Sequence, residues 1–143
     1  MTVARILDRK GRSVVTTGPH ASLQDIAQEL TQNGIGALVV VNLNGDIEGI
    51  ISERDVVTAV ANYGALPLSD AAMRYMTPQP PIVEETDSVD SVMELMTVQR
   101  RRHLPVVKEG RLAGLVSIGD VVKHRIETIE YERNALHEYI ATA

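Results

Sequence analysis

The chain has 143 residues, a net charge of −5 and no Cys, and 44% of it is hydrophobic although it holds no Trp, no Phe and four Tyr. That length suits one compact domain, in which roughly two-thirds of the unfolded surface can be buried, and its core must be built from Val, Ile, Leu, Met and Ala. The acidic balance argues against non-specific nucleic-acid binding, the lack of Cys excludes disulfides and thiolate metal sites, and no apolar stretch approaches the ~20 residues of a membrane span.

Residues 1–12 lack the apolar segment of a secretion signal, so a cytoplasmic location is expected. Val14–Thr17 reads as a short strand. Ser22 can cap a helix with Asp25 three residues on, and Leu23, Ile26, Ala27 and Leu30 then follow at the spacing of one buried helix face. Gly34 suits the left-handed residue that ends it. The apolar runs 37–41 and 47–51, joined across Asn44-Gly45, predict a β-hairpin, and a helix follows from Ser52.

After residue 62 the pattern starts again. A linker over 63–79 contains Gly64, Pro67 and Pro78, with a short helix expected near Asp70–Met76. Ile82-Val83, a Ser88-capped helix carrying Val89, Val92, Met93 and Met96, and strands at 103–107 and 112–116 then repeat the first half. Gly49/Gly114, Ser52/Ser117 and Asp55/Asp120 lie 65 residues apart, whereas Ser22/Ser88, Leu38/Leu104 and Val41/Val107 lie 66 apart. One residue of difference in hairpin length accounts for the change. The chain is therefore an internal duplication, read as residues 1–62 for the N-terminal segment and first unit, 63–79 for the linker, 80–125 for the second unit and 126–143 for a helical extension. Each unit alone would leave one sheet face wet, so the two should pack together and leave clefts between them.

Gly-x-x-Ser-x-x-Asp occurs in both copies at the junction of a strand and a helix. Two readings remain open. Ser52 with Asp55, and Ser117 with Asp120, form ordinary helix caps worth ~1 kcal/mol without any ligand. Equally, a helix N-terminus with a Ser hydroxyl suits a phosphate, and an ionised Asp suits the paired hydroxyls of a ribose. His20, His103, His124 and His137 have no metal-site spacing. No P-loop, GxGxxG or Gly-x-Ser-x-Gly element occurs, so nothing points to catalysis.

Gly49–Asp55 (GIISERD), Gly114–Asp120 (GLVSIGD), Ile35–Val40 and Arg102–Val106 together resemble the motifs of CBS (cystathionine β-synthase) domains. Residues from about 13 to 125 are similar to a stand-alone CBS pair, or Bateman module. The resemblance implies an α/β (α+β) fold of two tandem βαββα repeats packed about a pseudo-twofold axis. It also implies ligand binding by Asp55 and Asp120 at a ribose and by Ser52 and Ser117 near phosphate. Arg102 and His103 match positions that contact phosphate in some members, and Arg54 is a further candidate donor. Thr16, Ala37 and Ile82 match positions flanking the ligand. Arg100 and Arg101 read as a solvated run. The implied ligands are adenosyl compounds, AMP foremost, with ADP, ATP, NAD(H) and S-adenosylmethionine as alternatives.

The helix expected from Asp120 to Ala143 places Val122, Ile126, Ile129, Leu136 and Ile140 on a heptad seam interrupted at Arg133. This predicts a homodimer. The expected function is a regulatory, non-enzymatic nucleotide sensor that signals to a separate effector protein; the alternative is a structural dimerisation protein with no nucleotide.

Overall fold

The computed structural model describes residues 1–142 and carries two sheets and five α-helices. An N-terminal helix α1 (Val3–Lys10) leads into the first repeat: β1 (Thr16–Thr17), α2 (Leu23–Asn33), β2 (Ala37–Val41), β3 (Ile47–Ser52) and α3 (Glu53–Tyr63). Two short 3-10 turns, Leu66–Ser69 and Ala72–Arg74, and strand β4 (Thr77–Pro78) follow. The second repeat is β5 (Val83–Glu84), α4 (Val89–Gln99), β6 (His103–Lys108), β7 (Arg111–Ser117) and α5 (Ile118–Thr142). The two-repeat α/β architecture with a long terminal helix is as expected from the sequence, Ala143 lying outside the described residues. In the linker, the expected short helix is a 3-10 turn, and a strand forms beside it.

The duplication is visible in hydrogen bonding. β1 runs parallel to β2, and β2 antiparallel to β3; β5, β6 and β7 repeat this order. Ala37 pairs with Ser52 and His103 with Ser117, and the register slips once in each hairpin, at Val40/Val41 and at Val106/Val107. The hairpin loops account for the one-residue offset. In the first, the Asn42 side-chain oxygen accepts from the Asn44 and Asp46 N–H groups, and Gly45 has a φ of 84°. In the second, Glu109 and Gly110 both adopt positive φ, the conformation of a two-residue hairpin turn.

Helix ends follow the capping rules. Ser22 accepts from the Asp25 N–H and Ser88 from the Ser91 N–H, satisfying donors the helix cannot. Each repeat has its own apolar core. Leu23, Ile26, Leu30, Leu38, Val40 and Ile51 form one; Val89, Val92, Met96, Leu104, Val106 and Val116 form the other. The N-terminal segment, grouped by sequence with the first repeat, packs elsewhere: Val3, Ile6 and Leu7 of α1 are buried in the core of the second repeat. Conversely, Ala72 of the linker is buried in the core of the first, and β4 pairs with β3. Each repeat is thus completed by the segment that leads into the other.

Candidate functional site

Both signatures sit where a central strand gives way to a helix. Ser52 caps α3: its Oγ accepts from the Asp55 N–H at 3.3 Å while Asp55 Oδ2 accepts from the Ser52 N–H at 2.8 Å and from its hydroxyl at 3.0 Å. In the second copy the Ser117 N–H donates to Asp120 Oδ2 at 2.8 Å and the Asp120 N–H donates to Ser117 Oγ at 3.1 Å. The cap is real in both copies. It employs only Oδ2 of each Asp, so capping does not consume the carboxylate.

The geometry gathers more than the caps. A cavity of about 510 Å3 is lined by Ala37, Ser52, Glu53, Arg54 and Asp55 from the first repeat, Thr77 from the linker, and Arg100, Arg101, Arg102 and His103 from the second. The basic run of the second repeat therefore faces the Ser–Asp signature of the first. The cause is local. Arg100 closes α4 with a left-handed φ of 53° and ψ of 46°, which turns the chain so that the residues leading into β6 line the cavity with the first repeat. A second, more apolar hollow of about 500 Å3 between α2 and α3 shares Gly36, Glu53 and Val57 with this cavity.

The charges in this cavity are unbalanced. Four guanidiniums face two carboxylates, Glu53 and Asp55. Among the described residues no ion pair engages Arg54, Arg100, Arg101, Arg102 or Asp55. Arg101, expected on a solvated face, is instead half-buried: it donates to Thr77 Oγ1 at 3.3 Å, and its Nε is buried without a partner. His103 lies between the repeats, its Nε2 3.4 Å from where a Gly36 side chain would begin, ordinary contact distance. Burial holds the His103 pKa below its ordinary 6.5, with Lys10 adding to the effect and Asp120 and Glu53 opposing it. It is therefore a neutral ring near pH 7, not the imidazolium that suits a phosphate by charge.

Thr16 and Ile82 are exposed and outside the cavity lining. Ala37 is buried in the lining itself. Arg100, Arg101, Glu53 and Thr77 are lining residues the motifs alone did not single out. The Arg run was visible; its direction was not.

Around the second signature the setting differs. Lys10, the last residue of α1, donates to Asp120 Oδ2 at 2.5 Å and to the Leu115 carbonyl at 2.7 Å. Burial works against ionisation of Asp120, but the Lys10 and Ser117 hydrogen bonds outweigh it and hold its pKa below the ordinary 3.8. Leu7, one turn earlier, packs so closely on Gly114 that a side chain there would begin 2.9 Å from it.

The two tandem repeats each place a Ser–Asp pair at a strand-to-helix junction, the first on the cavity between the repeats and the second outside it, beside Lys10 of α1. The family model for the CBS domain matches residues 3–62 and 69–127, and the chain belongs to the CBS domain family. It is 46% identical to the CBS-domain containing protein ATU1752 from Agrobacterium tumefaciens, with a TM-score of 0.85 over 87% of this chain and 99% of that one. It is 31% identical to the CBS domain protein PAE2072 from Pyrobaculum aerophilum, solved complexed with AMP, with a TM-score of 0.76 over 84% of this chain and 89% of that one. Among curated proteins, the mitochondrial CBSX3 of Arabidopsis thaliana is 33% identical over 97% of this chain and 71% of that protein. No helix among the described residues is long and apolar enough to cross a membrane.

Proposed function

We propose that the chain is a regulatory sensor whose first cleft binds a phosphate-bearing adenosyl ligand, AMP foremost, and that a partner protein reads the bound state. The observation that carries this reading is the convergence of Asp55 with four guanidiniums lacking an ionic partner. Asp55 Oδ1 takes the ribose hydroxyls while Oδ2 keeps its cap. Arg54, Arg101 and Arg102 take the phosphate, for which planar guanidinium forks are suited. The excess of two positive charges matches a phosphate dianion. It disfavours S-adenosylmethionine, which brings a sulfonium cation. NADH, with two phosphates, is the alternative occupant. The AMP complex of the Pyrobaculum relative supports the ligand class.

The chain is further proposed to act as a homodimer. Val57, Val60 and Tyr63 on α3, and Val122, Ile126, Ile129, Leu136 and Ile140 on α5, are exposed, which leaves a long apolar surface for a second copy to cover. Light scattering should give twice the chain mass at micromolar concentration, and a clean monomer would remove this part.

Thermal unfolding with AMP, ADP, ATP, NADH and S-adenosylmethionine tests the binding reading. At 100 times Kd a ligand adds ~2.7 kcal/mol. AMP or another phosphorylated adenosyl ligand should raise Tm and S-adenosylmethionine should do so least. If none of the five moves Tm, the sensor reading is wrong.

A further inference from the structure

Helix α5 has two faces of different character. Its first half is seated on its own repeat: Val121 and His124 are buried, Arg125 pairs with Asp90 of α4, and Glu127 pairs with Arg9 of α1. That packing ends at Thr128. Every residue from 129 to 142 is exposed, so roughly 20 Å of helix stands clear of the domain. The face opposite His124 is apolar along almost its whole length. Val122, Ile126, Ile129, Leu136 and Ile140 are exposed, and with Arg133 they recur at alternating spacings of four and three, the d and a positions of a heptad. A helix gains most of its stability by burying such a face, and among the described residues no element of the chain covers this one. Helix α3 of a second copy is too short to do so, since it spans Glu53–Tyr63 whereas the seam runs over residues 122–140.

The charges beside the seam favour one arrangement of two α5 helices. In a parallel pair in register each seam residue meets its own copy, and a g position flanks the partner's e position five residues on. Arg125 then lies beside the partner's Glu130 and Glu132 beside the partner's His137, so no like charges oppose one another at the flanks. Glu130, Glu132 and Arg133 have no ion pair within the chain among the described residues, and the Arg125–Asp90 pair is exposed, a kind worth little. An antiparallel pair that matches the whole seam sets Ile129 against Arg133. It also sets Glu130 against the partner's Glu130 and Glu132 against the partner's Glu132, two like-charge contacts. Sliding that pair by one heptad relieves them but leaves two apolar positions bare, Leu136 and Ile140 in one direction, Val122 and Ile126 in the other. In the parallel pair Arg133 meets its own copy, and its long stem lets the guanidinium reach the partner's Glu132 at the edge. A single polar a position fixes register and a two-chain state at a cost in stability. From this we infer that two copies join through α5 as a parallel, in-register, two-stranded coil that continues beyond the domains. The inference rests on the proposed homodimer and adds its seam and its direction.

The chain has no Cys, so single substitutions report the geometry directly. Leu136→Cys, at a d position clear of both cores, should form a disulfide between copies under mild oxidation, and Glu130→Cys should not. A dimer in which Glu130→Cys links and Leu136→Cys does not is antiparallel, and overturns the inference. Sedimentation equilibrium gives a second reading. Leu136→Glu should weaken self-association at least about tenfold, about 1.4 kcal/mol, and Arg133→Ile should strengthen it by at least as much. A dimer that neither change moves joins through another surface and leaves this face to a different protein; the inference would then fall while the homodimer stood. A native chain that is monomeric at micromolar concentration would instead remove the homodimer reading beneath it.

Discussion

The two clefts descend from one duplicated motif and have arrived at opposite electrostatic states. The first is open and cation-rich: Arg54, Arg100, Arg101 and Arg102 line it, and none has an ion-pair partner among the described residues. The second is closed on itself, its carboxylate neutralised by Lys10 of α1. The difference does not lie in the Ser–Asp pairs, which cap their helices alike. It lies in what the rest of the chain lays over them. Met76 and Thr77 cover Gly49 and Leu7 covers Gly114, while the cations come from Arg54 and the Arg100–Arg102 run at the first signature and from Lys10 of α1 at the second. A repeat supplies the frame of a site, and residues from elsewhere in the chain add most of its charge.

The strongest way to break this comparison is to loosen one cover. Leu7 is fully buried in the second core, so Leu7→Ala should cost about 2–5 kcal/mol in chemical denaturation. If α1 were instead a loose appendage, the change would fall within a few tenths of a kcal/mol. Next in size is the ligand effect. Asp55→Ala should erase the ~2.7 kcal/mol of AMP stabilisation expected at 100 times Kd in the first cleft, while costing the free protein ~1 kcal/mol as a lost cap. Equal AMP stabilisation of Asp55→Ala and the native chain would show that the first cleft is not where the nucleotide sits.

The glycines give a finer contrast. A Cβ at Gly49 would meet Met76 Sδ at 2.6 Å and the Thr77 carbonyl oxygen at 2.7 Å, whereas the nearest atoms to one at Gly114 are the branched end of Leu7, at 2.9 Å. Backbone cannot swing aside as a side chain can. Gly49→Ala should therefore fall at the upper end of the 1–3 kcal/mol typical of overpacking, and Gly114→Ala at the lower end. Reversal of that order in urea melts would count against the two covers as described.

The smallest effects are those of pH. Burial lowers the pKa of His103 and of His124, whose ring nitrogens have no partner, so both rings bind protons more readily when unfolded. Their contribution is complete above the ordinary 6.5 and is lost as pH falls through the lowered folded values. Asp120 is also lowered, but its contribution is complete above 3.8 and is lost only at pH below that, as the carboxylate gives up Lys10. Urea midpoints should thus fall in two separate windows. Lys10→Met should weaken the acid one and leave the other; an acid window unchanged by that substitution would mean that Lys10 is not what holds Asp120 ionised.

Much of this molecule was legible in the sequence because its signals are local. Ser22 and Ser88 announce their helices, Asn44-Gly45 and Gly110 announce their turns, and apolar runs announce β2, β3, β6 and β7. The 65- and 66-residue offsets disclosed the duplication, and with it the Ser52–Asp55 and Ser117–Asp120 pairs. Helix α1 was missed although Val3, Ile6, Leu7 and Lys10 have helical spacing, because Ser, Asp or Asn is absent from its start and Thr2 makes no side-chain cap. Its stability comes from burial against the distant second core.

The sequence by itself determined the repeat, the elements of each copy and the caps that hold its two Asp residues, since each depends on residues only a few positions apart. Only the tertiary structure decided that Arg100–His103 face Asp55 and that Lys10 faces Asp120. Those pairings join residues 45 or more positions apart, the first across the interface of the repeats and the second between α1 and the repeat it packs on. They are fixed by which apolar face each lead-in segment buries, and no local spacing records that choice.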